Sequence, residues 1–265
     1  MWALMGGPEP TWQVVCIGIS VVVLGISKTG FGGGIGILSI PLMAIAMPAP
    51  EMLAVMAVLL VAVDLLANLH YLGQYDWRSL KWLLPGAVVG VGIGCVALVV
   101  MKRQAGDVAT FDRVLSLTIG LVCLGVVVAQ VVRLMGGTLQ SPRPGAGTGL
   151  AVGTVAGSVS TISHSAGPIV TLYLLQERID KRRLVGTLLM FTLLINAVKL
   201  AAYSRMGVVR WETVRQTWWM IPLLPVGTIF GAWLNKRVAE KPFAIIMYLA
   251  ALAAAGQMIW KAMRG

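Results

Sequence analysis

The chain alternates between long apolar runs and short polar islands. Apolar runs occupy about 12–28, 34–47, 51–72, 79–101, 110–134, 147–163, 167–177, 183–205, 213–235 and 243–262. Most of the charged residues lie in the islands between these runs, which is the hydropathy pattern of a protein that crosses a membrane several times. A spanning helix needs about 20 residues, so the second and seventh runs are too short to cross. The pattern predicts an all-α integral membrane protein.

Two glycine- and serine-rich interruptions lie at matching places half a chain apart. The first reads Ser27-Lys28-Thr29-Gly30-Phe31-Gly32-Gly33-Gly34, and the second reads Thr161-Ile162-Ser163-His164-Ser165-Ala166-Gly167-Pro168. Each one precedes a short apolar run. Non-helical backbone inside a membrane is tolerated where it is buried in protein or lines a cavity. Paired interruptions in two halves indicate a transporter's substrate site, so we predict broken or re-entrant half-helices at the interface between two repeats.

The two halves resemble each other at a fixed offset. Tyr71–Trp77 aligns with Arg205–Trp211, and each half has a Leu-Leu-Pro, ending at Pro85 and Pro225. We predict one transmembrane domain in three segments: a first repeat at 1–135, a linker at 136–149 and a second repeat at 150–265. Each repeat has about five helical elements and a net odd number of crossings, so the repeats are expected to be inverted in the membrane.

Composition excludes several classes of protein. The chain is 58% hydrophobic and 12% charged, whereas a soluble domain carries about 25% charged residues. The formal net charge of +11 does not indicate nucleic-acid binding, because the basic residues are scattered among loops rather than gathered on one face. Basic residues at loop ends instead anchor spans against lipid headgroups. The first apolar run lacks the basic segment of a signal peptide and is expected to be retained.

The two breaks have the chemistry of an anion site. Glycine lets the backbone approach a ligand closely, and a half-helix that begins at a break directs free N–H groups and a positive dipole end towards it. The alternative is close helix packing through small residues. The candidate substrate-binding residues are Lys28, Thr29, Gly30, Phe31, Gly32, Gly33, Gly34, Thr161, Ser163, His164, Ser165, Asn196 and Lys199.

Three charged residues lie away from the ends of the apolar segments: Asp64 and Lys199 are in the middle of apolar runs, and Lys28 is at the first break. A charge at the bilayer centre costs roughly 2.5–3.5 kcal/mol, so such residues face a cavity or a partner. The repeat offset aligns Asp64 with Val198, next to Lys199, so we expect Asp64 and Lys199 to be able to meet across the pseudo-symmetry axis. Asn196 shares the helix face of Lys199. We expect the lysines to attract an anion, with Asp64 or His164 as the coupling or proton site. A purely structural ion pair between two helices is the alternative.

Several motifs do not occur in the sequence. Two distant histidines and three scattered cysteines provide no metal-ligand spacing, and no Walker loop is present to bind ATP. We therefore expect no metal and no cofactor. An intramembrane hydrolase would need a nucleophile with a positioned base, and serines adjacent to His164 do not establish one, so we expect that the protein is not an enzyme.

The chain resembles the TauE/SafE family of sulfite and organosulfonate permeases along nearly its whole length. The resemblance rests on 27–34, Ile40-Pro41-Leu42, Asp64, Asp76-Trp77-Arg78, Leu84-Pro85-Gly86, 160–168, 172–175, Gly186-Thr187, 196–199, Tyr203, 222–225 and Gly231. It implies a permease for small sulfur-containing or carboxylate anions, commonly moving them outward with ion coupling. Thr29 takes a place where glycine is expected in many relatives, which leaves the substrate open.

The resulting prediction is a secondary transporter of sulfite-like or organosulfonate anions in the bacterial inner membrane. One repeat would move against the other. The expected partners are the anion, the lipid bilayer and H⁺ or Na⁺ as a co-ion, with a homodimer left open and no nucleic acid. An anion channel, a carboxylate transporter of the same fold and, less favoured, an intramembrane enzyme remain as alternatives.

Overall fold

The computed structural model of the protein describes residues 11–30, 38–134, 144–237 and 240–264, and in these ranges the chain is helical apart from short connections, with no strand. This confirms the all-α class. The helices are α1 (Thr11–Gly30), α2 (Ser39–Ala46), α3 (Ala49–Asn68), α4 (Trp77–Ala105), α5 (Val108–Leu134), α6 (Ala146–Ser163), α7 (Ala166–Gln176), α8 (Lys181–Arg205), α9 (Trp211–Thr217), α10 (Leu223–Arg237) and α11 (Glu240–Arg264).

Four of the described helical segments are long and apolar enough to cross a membrane. They are Ala49–Tyr71, Trp77–Ala105, Val108–Val132 and Lys181–Arg205. The first combines α3 with the 3₁₀ turn that follows it. Many large apolar side chains on these helices are exposed, as expected for surfaces that contact lipid acyl chains rather than water. The protein is therefore an integral membrane protein.

The two short helices turn back towards the side from which their predecessors came. Trp12, at the start of α1, and Met47, after the end of α2, line the same cavity of about 450 Å³. In the second half, Gly149 in the first turn of α6 lies beside the Tyr173 ring of α7. Each pair, α1–α2 and α6–α7, therefore forms a hairpin with both outer ends at one side.

Helices from different halves of the chain pack most closely against each other. The longest interfaces join α4 to α6, α1 to α10, α5 to α11 and α3 to α8. In the α4–α6 interface a Cβ on Gly157 would overlap the backbone of Ala87, and in the α1–α10 interface a Cβ on Gly25 would overlap the backbone of Gly227. Small residues let helix backbones approach this closely within a membrane.

The buried apolar side chains form two separate clusters. One consists of residues from α4, α6, α7 and the first half of α8, including Leu83, Val170 and Phe191. The other is built mainly from α1, α2, α3, α5 and α11. The charged and polar residues of α1, α3 and α8 lie where these elements meet, so the polar site has an apolar core on each side.

The structure differs from the predicted elements in three places. The predicted run 213–235 is divided, because α9 ends at Thr217 and α10 begins at Leu223, with a 3₁₀ turn between them. The residue before a proline disfavours helical backbone, and Ile221 precedes Pro222 in this gap. Helix α1 continues beyond position 28 to Gly30. Helix α6 begins at Ala146, inside the predicted linker, whose residues 136–143 lie outside the described part.

Candidate functional site

A buried ion pair joins the end of α1 to α3. Lys28 Nζ lies 2.5 Å from Asp64 Oδ1, with Lys28 7% exposed and Asp64 fully buried. Lys28 is in the last turn of α1, just before the first glycine break. Two opposite charges in a low-dielectric interior need each other and further hydrogen bonds to offset the cost of leaving water.

Helix α8 supplies those hydrogen bonds from one face. Thr192 Oγ1 lies 3.2 Å from both Lys28 Nζ and Asp64 Oδ1, and Asn196 Nδ2 donates to Asp64 Oδ2 at 2.7 Å. Thr192 and Asn196 are four residues apart, so they lie one above the other on the helix. Asn68 donates to the backbone carbonyls of Asp64 and Leu189 and ties α3 to α8 beside the pair.

A second buried lysine, one turn further along α8, is held by α6. Lys199 Nζ lies 2.7 Å from His164 Nδ1, 3.1 Å from Ser160 Oγ and 3.3 Å from the Ser160 carbonyl oxygen. His164 Nε2 lies 3.1 Å from the carbonyl oxygen of Leu53. A carbonyl only accepts, so Nε2 carries the proton and Nδ1 accepts from Lys199. With Lys199 as an ammonium, His164 is a neutral imidazole between α3 and α8.

The second helix break is strained and well connected. His164 has a left-handed backbone, with φ of 55°, which is uncommon outside glycine and clusters at functional sites. The Ser163 and Ser165 hydroxyls donate to the carbonyls of Val159 and Ser163, and the Tyr203 hydroxyl donates to the Thr161 carbonyl. Neither serine donates to the imidazole, so the described geometry does not contain the serine–histidine pair of a hydrolase.

The N-terminus of α7 begins at this break with free backbone donors. The first N–H groups of a helix have no partner within it, and the Ser165 side chain at the N-cap accepts no hydrogen bond from them. Ala166 and Gly167 both line the cavity described next. The positive end of the α7 dipole is therefore directed into the site.

A cavity of about 40 Å³ lies between the two helix breaks. Space of about 10–15 Å³ holds one water molecule, so the cavity has room for a few water molecules or one small ion. Its polar lining comes from Ser27, Lys28, Ser160, His164, Ser165, Thr192 and Asn196. Ser27 Oγ is buried and makes no hydrogen bond within the described part of the chain.

The structure brings together only some of the predicted site residues. Lys28, His164, Ser165 and Asn196 line the cavity, while Lys199 lies behind His164. The hydroxyls of Thr161 and Ser163 donate to carbonyls of their own helix and do not line it. Thr29 and Gly30 end α1, with no side-chain placement described, and Phe31, Gly32, Gly33 and Gly34 lie outside the described residues.

The predicted meeting of Asp64 with Lys199 does not occur as a direct contact. Asp64 pairs with Lys28, and Lys199 contacts His164 and Ser160 instead. Sequence analysis missed Ser27, Ser160 and Thr192. Thr192 could have been identified from sequence, because it lies one turn before Asn196 on the same face of α8. In the described residues, no group of histidine, cysteine, aspartate or glutamate side chains is placed to hold a metal ion.

Comparison with known proteins identifies the family. The family model described as "Sulfite exporter TauE/SafE" matches residues 17–258 of the 265-residue chain. Comparisons with curated proteins and with solved structures found no match. The matched region includes both helix breaks, the Lys28–Asp64 pair and Lys199. The chain therefore belongs to the TauE/SafE sulfite exporter family, whose members are integral membrane transporters.

Proposed function

We propose that this protein is a secondary transporter of small sulfur-containing anions, such as sulfite or organosulfonates, in the bacterial inner membrane. The observation that carries the proposal is the central cavity, in which a buried lysine, a neutral imidazole and a helix N-terminus converge. Intramembrane charges of this kind mark substrate pathways. Membership of the sulfite exporter family supports the same substrate class.

Binding of the anion follows from the donors around the cavity. Lys28 contributes a positive charge, and the amides of Ala166 and Gly167 begin α7 with the positive end of its dipole. Asn196 adds an amide, and Ser27 adds a hydroxyl with no hydrogen-bond partner among the described residues. Helix N-termini bind oxyanions through such N–H groups. A volume of about 40 Å³ favours an anion of few heavy atoms.

The connectivity supports an inverted repeat. The α1–α2 hairpin opens to the side where α1 begins, and three spans, α3 to α5, separate it from the start of α6. An odd number of crossings places the α6–α7 hairpin on the opposite side. The packing pairs also match, because α4 on α6 has its counterpart in α10 on α1. We propose that the two hairpins enter from opposite sides and meet at the cavity.

The packing suggests moving units that differ from the sequence repeats. Helices α4 and α6 make backbone contacts through glycines, and so do α1 and α10, although each pair combines both halves of the chain. Close-packed helices of this kind move together. We propose that alternating access moves an α4–α6–α7 unit against an α1–α2–α10 unit, with the cavity between them.

The membrane potential is sufficient to drive export. An anion that leaves a negative-inside cell gains about 2.3 kcal/mol per charge per 100 mV. Import would need a co-transported H⁺ or Na⁺, and Asp64 or His164 would then bind the proton. Asp64 accepts from Lys28 and Asn196, so protonation would break the contacts that join α1, α3 and α8.

The proposal is tested by uptake of radiolabelled sulfite into proteoliposomes that contain the purified protein. We expect saturable uptake that is lost in Lys28→Gln and retained in Lys102→Gln, an exposed lysine outside the cavity. Flux that does not saturate would indicate a channel. Uptake of lactate but of no sulfur anion would indicate a carboxylate transporter, and a chemically altered product would indicate an enzyme. Any of these outcomes would overturn the proposal.

A further inference from the structure

We propose that the central cavity selects its anion by charge and takes monoanions in preference to dianions. This inference rests on the proposed function and adds the charge state of the substrate. It follows from the number of charged groups that surround the cavity and from the hydrogen bonds of Lys199, which fit its charged form. Family membership does not specify this property.

Three charged side chains line the cavity or contact its lining within the described part of the chain. They are Lys28, Asp64 and Lys199, all buried. The undescribed break at 31–37 contains only glycine, phenylalanine and isoleucine, so it adds no ionisable side chain. Two ammonium groups and one carboxylate leave one positive charge in the empty site.

The three polar neighbours of Lys199 fit its protonated form. A lysine ammonium has three donors and no acceptor. Lys199 Nζ has three neighbours within 3.3 Å, namely His164 Nδ1, Ser160 Oγ and the Ser160 carbonyl oxygen. The carbonyl accepts only, and the Ser160 hydroxyl oxygen and His164 Nδ1 are both able to accept. Three acceptors around one nitrogen match the three donors of the charged form.

The positive charge of Lys199 has no carboxylate within hydrogen-bond reach in the described residues. Asp64 is already paired with Lys28 at 2.5 Å, and its second oxygen accepts from Asn196. An uncompensated charge is costly in a low-dielectric interior. A monoanion in the cavity makes the site neutral, whereas a dianion leaves one net negative charge. Lys199 therefore acts as a positioning charge behind His164, and Lys28 contacts the anion directly.

The net charge of the site then differs between the empty and the loaded state of the transporter. The empty site carries one positive charge, and the site loaded with a monoanion is neutral. Movement of the loaded site would be insensitive to membrane potential, and return of the empty site would be sensitive to it. A dianion would make both steps sensitive.

Methanesulfonate and sulfate provide a matched pair of probes. Both are tetrahedral around sulfur, and they differ by a methyl group in place of one oxygen and by one unit of charge. We would measure the melting temperature of the purified full-length protein in detergent against each sodium salt at constant ionic strength, because a ligand of the folded state raises it. We expect methanesulfonate to raise the melting temperature at concentrations at least about tenfold below those of sulfate. This ratio corresponds to a difference of about 1.4 kcal/mol in binding free energy.

A charge variant separates charge from the extra methyl group. The same two anions are compared in Asp64→Asn, which raises the net charge of the site to two positive charges. We therefore expect the preference to shift towards sulfate. Asp107 is an exposed carboxylate in a loop, so Asp107→Asn is the matched control and should leave the preference between the two anions unchanged. If Asp64→Asn does not fold, Lys199→Gln replaces it, and sulfate should then lose more affinity than methanesulfonate, because the Coulomb energy scales with the charge of the anion.

The outcomes distinguish the two proposals. Equal or tighter binding of sulfate by the wild-type protein would overturn charge selection and leave the transporter proposal intact. A folded Asp64→Asn variant that keeps the wild-type preference would do the same. If neither probe nor sulfite shifts the melting temperature, the anion site itself is wrong, and charge selection falls with it.

Discussion

Lys28 and Asp64 form an ion pair that joins the end of α1 to α3. The 2.5 Å separation of Nζ and Oδ1 places the end of α1 against α3, and Thr192 of α8 lies 3.2 Å from both atoms. One lysine thus contacts two other helices and the cavity. A change of partner for Lys28, from Asp64 to a bound anion, would loosen α1 from α3 and α8.

Removal of one member of this pair should cost more stability than removal of both charges. Lys28→Gln leaves Asp64 buried without its cation, and breaking a buried pair costs about 3–5 kcal/mol. Lys28→Gln combined with Asp64→Asn leaves two neutral groups that still form hydrogen bonds, so we expect much of the loss to be recovered. Thermal unfolding in detergent would measure this. If the double variant also kept anion binding, the pair would be purely structural.

His164 should tolerate asparagine far better than leucine. Asparagine accepts left-handed backbone and places an oxygen near the position of Nδ1, so Lys199 keeps its acceptor. Leucine removes that acceptor, and a buried donor without a partner costs about 1–3 kcal/mol. The same two substitutions at Arg178, which also has φ of 55°, measure the backbone contribution alone. Equal melting temperatures for the two His164 variants would contradict the Lys199–His164 hydrogen bond.

Ser27 should influence anion affinity without supporting the fold. Its hydroxyl is buried with no hydrogen-bond partner in the described structure, and such a group costs stability. We therefore expect Ser27→Ala to keep or raise the melting temperature and to weaken sulfite binding several-fold, since about 1 kcal/mol per hydrogen bond is typical. Ser20→Ala is the matched control on α1, because Ser20 donates to Cys16 and lies outside the cavity lining. Unchanged affinity in Ser27→Ala would remove Ser27 from the site.

The α4–α6 interface should reject even one added methyl group. A Cβ on Gly157 would overlap the backbone of Ala87, whereas a Cβ on Gly92 meets nothing within 4 Å. Overpacking costs about 1–3 kcal/mol, so Gly157→Ala should lower the melting temperature clearly. Gly92→Ala should leave it unchanged or slightly higher, because alanine favours helix. Equal effects of the two substitutions would show that α4 and α6 are not packed as described.

The helix breaks could be predicted from sequence because they interrupt apolar stretches that would otherwise form continuous membrane helices. Glycine and serine clusters stand out in apolar runs, and Lys28, Asp64 and Lys199 stand out for their charge. Ser27, Ser160 and Thr192 do not stand out individually. Serine and threonine are common in membrane helices, where their hydroxyls often bond to the preceding turn. Their role depends on which helix lies opposite the side chain. Thr192, for example, contacts Lys28 of α1 and Asp64 of α3.

The sequence by itself determined the class of the protein. Runs of about 20 apolar residues separated by polar islands can satisfy their backbone hydrogen bonds within a membrane only as helices or closed barrels. The run lengths favour helices over the shorter strands of a barrel. This is a local requirement, so it can be read along the chain, as can the two breaks and the three intramembrane charges.

Only the tertiary structure decided which charges meet. The repeat offset aligned Asp64 with Val198, next to Lys199, but Asp64 pairs with Lys28, and Lys199 with His164. Partner choice depends on side-chain reach and on the depth at which α1 and α6 end between the other helices, which are properties of packing. The same packing assigned the closest contacts to α4 with α6 and α1 with α10. Two helices far apart in the chain leave no mark of their contact in a single sequence beyond small residues at suitable spacing.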